Sequence, residues 1–368
     1  MINKTYNDFL LRTNDKKLLR FSYSKNIGIF YYEINDSKYV EKEIISKNSL
    51  KYFYVFEDYS NNINIIYQDL KGNIILCILK ENITTYRTIF YMKPNSISPI
   101  SIKGFSLKNS SKYLYNFDSN SHKIYFGCDT NEASKIIYSD KNDIDINFKV
   151  LSGKEDNLLI IYSISFNIFK LVLKTYNEKN KKWANSKNIF ITNLPYIDYS
   201  FYLINNKLHS LIIIDEVNIK KLIYKDNKID KNEDIQREII ICEDYNLESC
   251  LIIEIGSVLW LLWINNKKMY GCYSLDCGES FSVPKEYLNK VEENIKKIEF
   301  IEERQNKEIY IRDNNGNVTL FLEELLQSNN SFDINYKEIT YNFKEKKEIS
   351  SVNKEEKDVN KTSIINMY

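Results

Sequence analysis

The sequence predicts an all-β fold, a β-propeller of seven four-stranded blades, and three observations carry that prediction. Runs rich in Ile, Leu and Tyr recur along the whole 368-residue chain, separated by short polar stretches. These runs return at a nearly constant interval. Only 9 Gly and 4 Pro stand against 29 Tyr and 19 Phe, a bias towards residues that suit pleated, half-buried strands rather than Gly-rich linkers or kelch-type repeats.

The first strand of each repeating unit begins at Leu18, Ile63, Lys112, Asn157, Leu208, Ser257 and Lys307. The intervals are 45, 49, 45, 51, 49 and 50 residues. A second strand follows in every unit, at 27–34, 73–80, 123–130, 166–175, 218–226, 267–276 and 317–323. A third follows in most, at 39–45, 86–91, 134–138, 235–241 and 281–287. A further apolar segment lies between units, at 50–56, 100–107, 145–151, 196–203, 248–254 and 296–301, and residues 8–13 fill that place before the first unit. Four short strands at a period of about 40–50 residues are the signature of a propeller blade. A pair of β-sandwiches would also show short strands, but would need no sustained period.

Seven such units occupy residues 1–343. A propeller must join its first and last blades, because an open sheet edge is a liability. The segment 336–343 (YKEITYNF) is the strand expected to complete the seventh blade, with residues 8–13 crossing over as the alternative. Residues 344–368 are rich in Lys, Glu, Asn and Ser, have no aromatic before Tyr368, and are expected to form a disordered tail.

Composition narrows the function classes. With 51 basic and 50 acidic residues the net charge is +1, which argues against nucleic acid as the main partner. Two His and six scattered Cys without a CxxC pair argue against a metal site, and no cofactor is expected. The start of the chain lacks a charged segment followed by a long apolar run, so a cytoplasmic protein with reduced thiols is expected. The most apolar segment, 249–266 (SCLIIEIGSVLWLLWINN), is broken by Glu254 and Gly256-Ser257. It reads as two buried strands and a tight turn rather than a membrane span.

One motif is specific. At the hairpin between the strands 267–276 and 281–287 of the sixth unit stand Ser274, Asp276, Gly278, Ser280 and Phe281 in the pattern S-x-D-x-G-x-S-F. The Asp can close the turn onto backbone N–H groups, the Gly can take a conformation a Cβ would oppose, and the aromatic can plug the core. A degenerate echo, Thr175 through Trp183, stands at the same place in the fourth unit. On these residues the chain resembles the Asp-box (BNR-repeat) propellers, a group that includes sialidases. The resemblance implies that the box is a folding device on the face away from the binding site, so Asp276 is not read as catalytic.

Sialidases of that group use a Tyr nucleophile and three arginines that grip the substrate carboxylate. This chain has six Arg (Arg12, Arg20, Arg87, Arg237, Arg304, Arg312), and none sits in the group's (F/Y)RIP motif. No catalytic residue is therefore assigned. The expected function is a non-catalytic binding scaffold for a protein or polymer, with a carbohydrate-binding or sialidase-like propeller as the alternative. The expected binding face carries Asp69, Asp118, Asp215 and Asp313, which fall at offsets 6, 6, 7 and 6 from their strand starts. Carboxylates there cap turns, and a ring of them would also attract a basic partner or a cation.

Overall fold

The structure, a computed structural model, describes residues 8–320 other than 82, 92–99, 108–109, 118–122, 129–134, 140–142, 153–156, 166–167, 178, 205, 230–236, 289–290, 292–294 and 315–316. Every regular element among the described residues is a strand. Blade 1 contains β1 (Asp8–Arg12), β2 (Leu18–Ser24), β3 (Gly28–Asn35) and β4 (Lys38–Ser46). Blade 2 contains β5 (Ser49–Glu57), β6 (Ile63–Asp69), β7 (Ile74–Lys80) and β8 (Ile83–Phe90). Blade 3 is β9 (Ile100–Leu107), β10 (Ser110–Phe117), β11 (Lys123–Cys128) and β12 (Lys135–Ser139). Blade 4 is β13 (Asp143–Ser152), β14 (Asn157–Ser165) and β15 (Ile168–Asn177), with β16 (Lys182–Trp183) and β17 (Lys187–Thr192) both on β15. Blade 5 is β18 (Tyr196–Ile204), β19 (Lys207–Glu216), β20 (Ile219–Lys228) and β21 (Arg237–Asp244). Blade 6 is β22 (Leu247–Ile255), β23 (Val258–Asn265), β24 (Lys268–Ser274) and β25 (Lys285–Leu288). The seventh unit supplies β26 (Ile295–Glu302), β27 (Gln305–Asn314) and β28 (Asn317–Leu320).

The expectation of seven blades is corrected to six. The strands of the first and seventh units are hydrogen-bonded into one closed sheet, so the seven sequence units fold as six sheets among the described residues. β1 runs parallel to β26, pairing Phe9 with Glu299 through Arg12 with Glu302. At the far side β28 meets β4 at Asn317 and Lys38. The reason is edge satisfaction. A short three-stranded unit leaves two rows of unpaired backbone groups, and the two edges of blade 1 cover both. Residues 8–13 thus make the crossover considered as the alternative closure, while 336–343 and the tail 344–368 lie outside the described residues.

Segments that the sequence places between units become the first strand of each blade, and these pack against one another around the ring, β5 on β9 and β18 on β22. That explains the blurred alternation. The first two strands of a blade are covered on both faces by neighbours: Val258–Asn265 is buried at every position except its ends. Outer strands face water, as in Lys38–Ser46 and Ile83–Phe90. The core accordingly lies in the seams between blades, one cluster per seam or pair of seams. The apolar segment 249–266 is the β22–β23 hairpin, turned at Gly256 and Ser257, both at positive φ. No helix among the described residues is long and apolar enough to cross a membrane.

Candidate functional site

The β26–β27 hairpin is two-faced, and its faces determine the centre of the molecule. Ile298, Phe300, Ile309 and Ile311 pack with Leu10 and Ile34 of blade 1 and with Leu251, Ile253 and Leu262 of blade 6. Because side chains alternate along a strand, Lys297, Glu299, Glu308 and Tyr310 point the other way. There they meet the first strands of five blades.

Lys297 Nζ lies 2.9 Å from both carboxylate oxygens of Asp198 on β18 and donates to the carbonyl of Cys250 on β22 at 2.9 Å. Asp198 also accepts from Ser249 Oγ at 2.8 Å and from the Cys250 backbone N–H at 3.0 Å. Glu308 accepts from Ser200 Oγ at 2.6 Å and lies 3.0 Å from Lys149 Nζ on β13. Glu299 accepts from Tyr54 OH of β5 at 2.5 Å and from Lys103 Nζ of β9 at 3.2 Å. Tyr310 OH donates to Ser249 Oγ at 2.9 Å. The network thus joins three ammonium groups to three carboxylates, with Glu299 and Glu308 directly opposite in register.

Solvent is excluded: Glu299 and Glu308 are each 1% exposed. Burial pushes the Lys149 proton affinity below the ordinary lysine value, against the pull of Glu308. Burial, reinforced by Glu299, pushes the Tyr54 phenol well above its ordinary value. These groups hold one another, and the arrangement acts as an axial tie. Chemistry on a substrate would require opening it.

The Ser274–Phe281 turn joins β24 to β25, where the period places it. Ser274 Oγ accepts from the Gly278 N–H at 2.7 Å and donates to Asp276 Oδ1 at 2.7 Å. Asp276 accepts from the Ser280 N–H at 2.8 Å and from its hydroxyl at 2.5 Å. Partial burial opposes ionisation of Asp276, but the Ser280 and Ser274 hydrogen bonds outweigh it and hold the carboxyl below its ordinary range. Gly278 has φ +88°, and a Cβ there would stand 1.9 Å from Tyr224 OH. Phe281 packs edge-on against Tyr224 at 4.7 Å. The expected core plug therefore fills the seam to blade 5 as well as its own blade. His209 Nδ1 sits 2.7 Å from Tyr224 OH, and Arg237 donates to the Gly278 carbonyl at 3.3 Å. The echo in the fourth unit behaves alike: Asn177 Oδ1 accepts from the Asn180 N–H at 3.2 Å, and Trp183 packs on Phe126 of blade 3 at 5.3 Å.

Of the acidic positions of the expected binding face, Asp69, Asp215 and Asp313 stand at or next to the last residue of the second strand of their units, at the opposite end of the third strand from Asp276. Asp69 is engaged by its own turn, accepting from the N–H groups of Lys71 and Asn73 at 2.8 Å each and from the Asn73 amide at 2.9 Å. Asp215 is the penultimate residue of β19, and its N–H donates to the Pro195 carbonyl at 2.9 Å. Asp313 accepts from the buried Arg20 at 2.7 Å, and the same guanidinium reaches Asp8 at 3.0 Å. Asp118 lies outside the described residues. The three described positions are equivalent, but the carboxylates of Asp69 and Asp313 are spent within the fold.

Sequence reading missed the axial network because its residues come from six separate segments, the first strands of five blades and the β26–β27 hairpin. The one available signal was local: 297–300 (KIEF) and 308–311 (EIYI) alternate polar or charged residues with apolar ones. No group of three potential metal ligands occurs among the described residues.

No family model and no curated protein sequence matches the chain. Solved structures do. A polysaccharide lyase of family PL25, an ulvan lyase, matches with TM-score 0.58 at 10% identity, covering 84% of this chain and 90% of its own. The same lyase bound to -[GlcA(1-4)Rha3S]- gives 0.56 at 10% identity over 85% and 92%. The BP39L lectin from Burkholderia pseudomallei gives 0.53 at 8% identity, covering 86% of this chain and 98% of its own. At these identities the likeness is one of fold, and the fold is a β-propeller.

Proposed function

We propose that the chain is a non-catalytic binding scaffold whose ligand is a carbohydrate polymer. The observation that carries the scaffold reading is the axial network: Lys103, Lys149 and Lys297 are consumed by Asp198, Glu299 and Glu308, which makes the centre a tie between blades rather than a reaction chamber. Loops and seams around that rigid ring are then free to vary for recognition. The arginines favour the same reading over the sialidase-like one. Arg12 pairs with Glu302, Arg20 with Asp8 and Asp313, and Arg237 with Glu279, while Arg304 lies over the Tyr59 ring. A carboxylate clamp needs three guanidiniums converging on one point. Carbohydrate as the ligand class is supported by what the fold neighbours bind, an ulvan lyase that takes -[GlcA(1-4)Rha3S]- and a bacterial lectin.

On this reading the Ser274–Phe281 turn is kin to the Asp boxes and contributes stability only. The unbridged thiols of Cys77, Cys242, Cys272 and Cys277 support a reducing, cytoplasmic workplace. An array of neutral, uronate-containing and sulfated polysaccharides tests the proposal, run beside a fluorogenic sialoside assay. Array binding without sialoside turnover is expected. Silence on the array would defeat the carbohydrate reading, and turnover would defeat the non-catalytic one.

A further inference from the structure

Sheet edges end at the rim of the ring, and they are not protected alike. β8 is the outermost strand of blade 2 and pairs only with β7 among the described residues, so one row of its backbone N–H and C=O groups faces outward. Such a row is a template for another strand unless short length, charge or a bulge blunts it. The last strands of the other blades are blunted. β12, β17 and β25 have five, six and four residues, and β4 and β21 carry four charged residues each. β8 runs ITTYRTIF over eight residues, with Arg87 as its single charge and with neither Gly nor Pro. Its ladder to β7 is unbroken from Ile83 to Thr88, and the irregularity lies beyond, between Thr88 and Phe90. Residues 83–87 are all exposed, Ile83 at 63% and Tyr86 at 54%.

The order of residues along this edge says what fits it. When a strand pairs with a second copy of itself about a two-fold axis normal to the sheet, one residue must stand opposite its own copy, because opposed side chains lie on the same face. An axis at Arg87 would set two guanidiniums opposite each other. An axis at Tyr86 sets Tyr86 opposite Tyr86, Thr85 opposite Arg87 and Thr84 opposite Thr88, so the one charge meets a hydroxyl. Aromatic and Thr–Thr cross-strand pairs are favourable, whereas like charges directly opposite are destabilising. Tyr86 is also held in place. Its hydroxyl donates to the Ile45 carbonyl at 2.9 Å, which sets β8 beside β4, whose Val40 and Ile44 are exposed. Apolar surface thus flanks the edge, and covering it adds to the backbone pairing.

We propose that β8 is a dimerisation edge, on which a second copy of this chain adds its own β8 antiparallel with Tyr86 on the two-fold axis. Two copies of blade 2 then form one sheet of eight strands. Sedimentation equilibrium of the full chain, over about a hundredfold range of concentration, should show a dimer that dissociates on dilution. Thr84 and Thr88 oppose each other twice in this register, which permits a charge exchange. Thr84→Lys with Thr88→Lys sets like charges opposite and should weaken the dimer roughly tenfold or more. Thr84→Lys with Thr88→Glu sets unlike charges there and should bring the dimer back to within about threefold of wild type. Both positions lie on the rim, so circular dichroism should show both variants folded as wild type. A monomer at every concentration would overturn the proposal and leave the edge to a strand of other origin. A dimer indifferent to both pairs of substitutions would place the interface elsewhere and overturn it as well. Equal loss of the dimer in both variants would overturn the register about Tyr86 on which the proposal rests.

Discussion

Asp276 and His209 show how much a single side chain can carry when its partners are fixed. Asp276 organises the Ser274–Phe281 turn through hydrogen bonds from two groups of Ser280 and one of Ser274. Asp276→Ala should cost about 1–2 kcal/mol, measured by urea unfolding. Phe281→Ala opens the seam against Tyr224 and should cost roughly 3–5 kcal/mol. If both variants unfold like wild type, the turn does not hold the seam. Asp69 and Asp313 look alike in sequence and should not behave alike. Asp69→Asn keeps an acceptor for the turn and should cost under about 1 kcal/mol. Asp313→Asn leaves the buried Arg20 short of a charge and should cost about 2 kcal/mol or more; equal costs would remove the distinction.

His209 adds a pH dependence with a definite sign. Burial, helped by nearby Lys207, lowers its pKa to about 3 from an unfolded value of 6.5. Between those values the unfolded chain binds the extra proton, so stability is full above about pH 6.5 and falls as pH drops towards 3. The shift corresponds to at most about 5 kcal/mol. Unfolding midpoints from pH 7 to 3 should therefore fall less steeply in His209→Gln than in wild type, and parallel slopes would exclude His209 as the source.

At the scale of the element, the β26–β27 hairpin holds its place by two independent means. Its apolar face is recognised by blades 1 and 6, and its polar face is held in register by ion pairs to the first strands around it. Buried ion pairs contribute little net stability but are expensive to break. Glu308→Gln should therefore cost roughly 3–5 kcal/mol by leaving Lys149 without its carboxylate, while Lys149→Met combined with Glu308→Gln should recover much of that loss. A double variant as unstable as the single one would show that packing, not charge, is at stake. Since the folded state depresses the Lys149 proton affinity, its burdening effect is present at neutral pH and is relieved as pH rises towards the ordinary lysine value. Wild type should therefore gain stability on mild alkalinisation relative to the double variant.

At the scale of the whole molecule, ring closure is the property that the hairpin secures. β1 and β4 cover both edges of the seventh unit, which leaves that closed sheet no free edge for another strand. A chain shortened at Leu326 should consequently keep its melting temperature by calorimetry. A clear drop would mean that residues beyond it complete the fold.

The sequence by itself determined the strands, their repeat, the β22–β23 hairpin in the most apolar segment, and the position of the Asp276 turn. These are local properties: side-chain preference, turn chemistry and spacing act within one unit and can be read one unit at a time. Only the tertiary structure decided that seven units make six blades, that Asp313 pairs with Arg20 some 293 positions away, and that Lys297, Glu299 and Glu308 meet five blades at the axis. The same holds for the place of β8 at an open edge of its blade. Each depends on which edge or face a unit finds after the ring closes, and Coulomb and hydrogen-bond partners across a seam leave no trace in the order of residues along either strand.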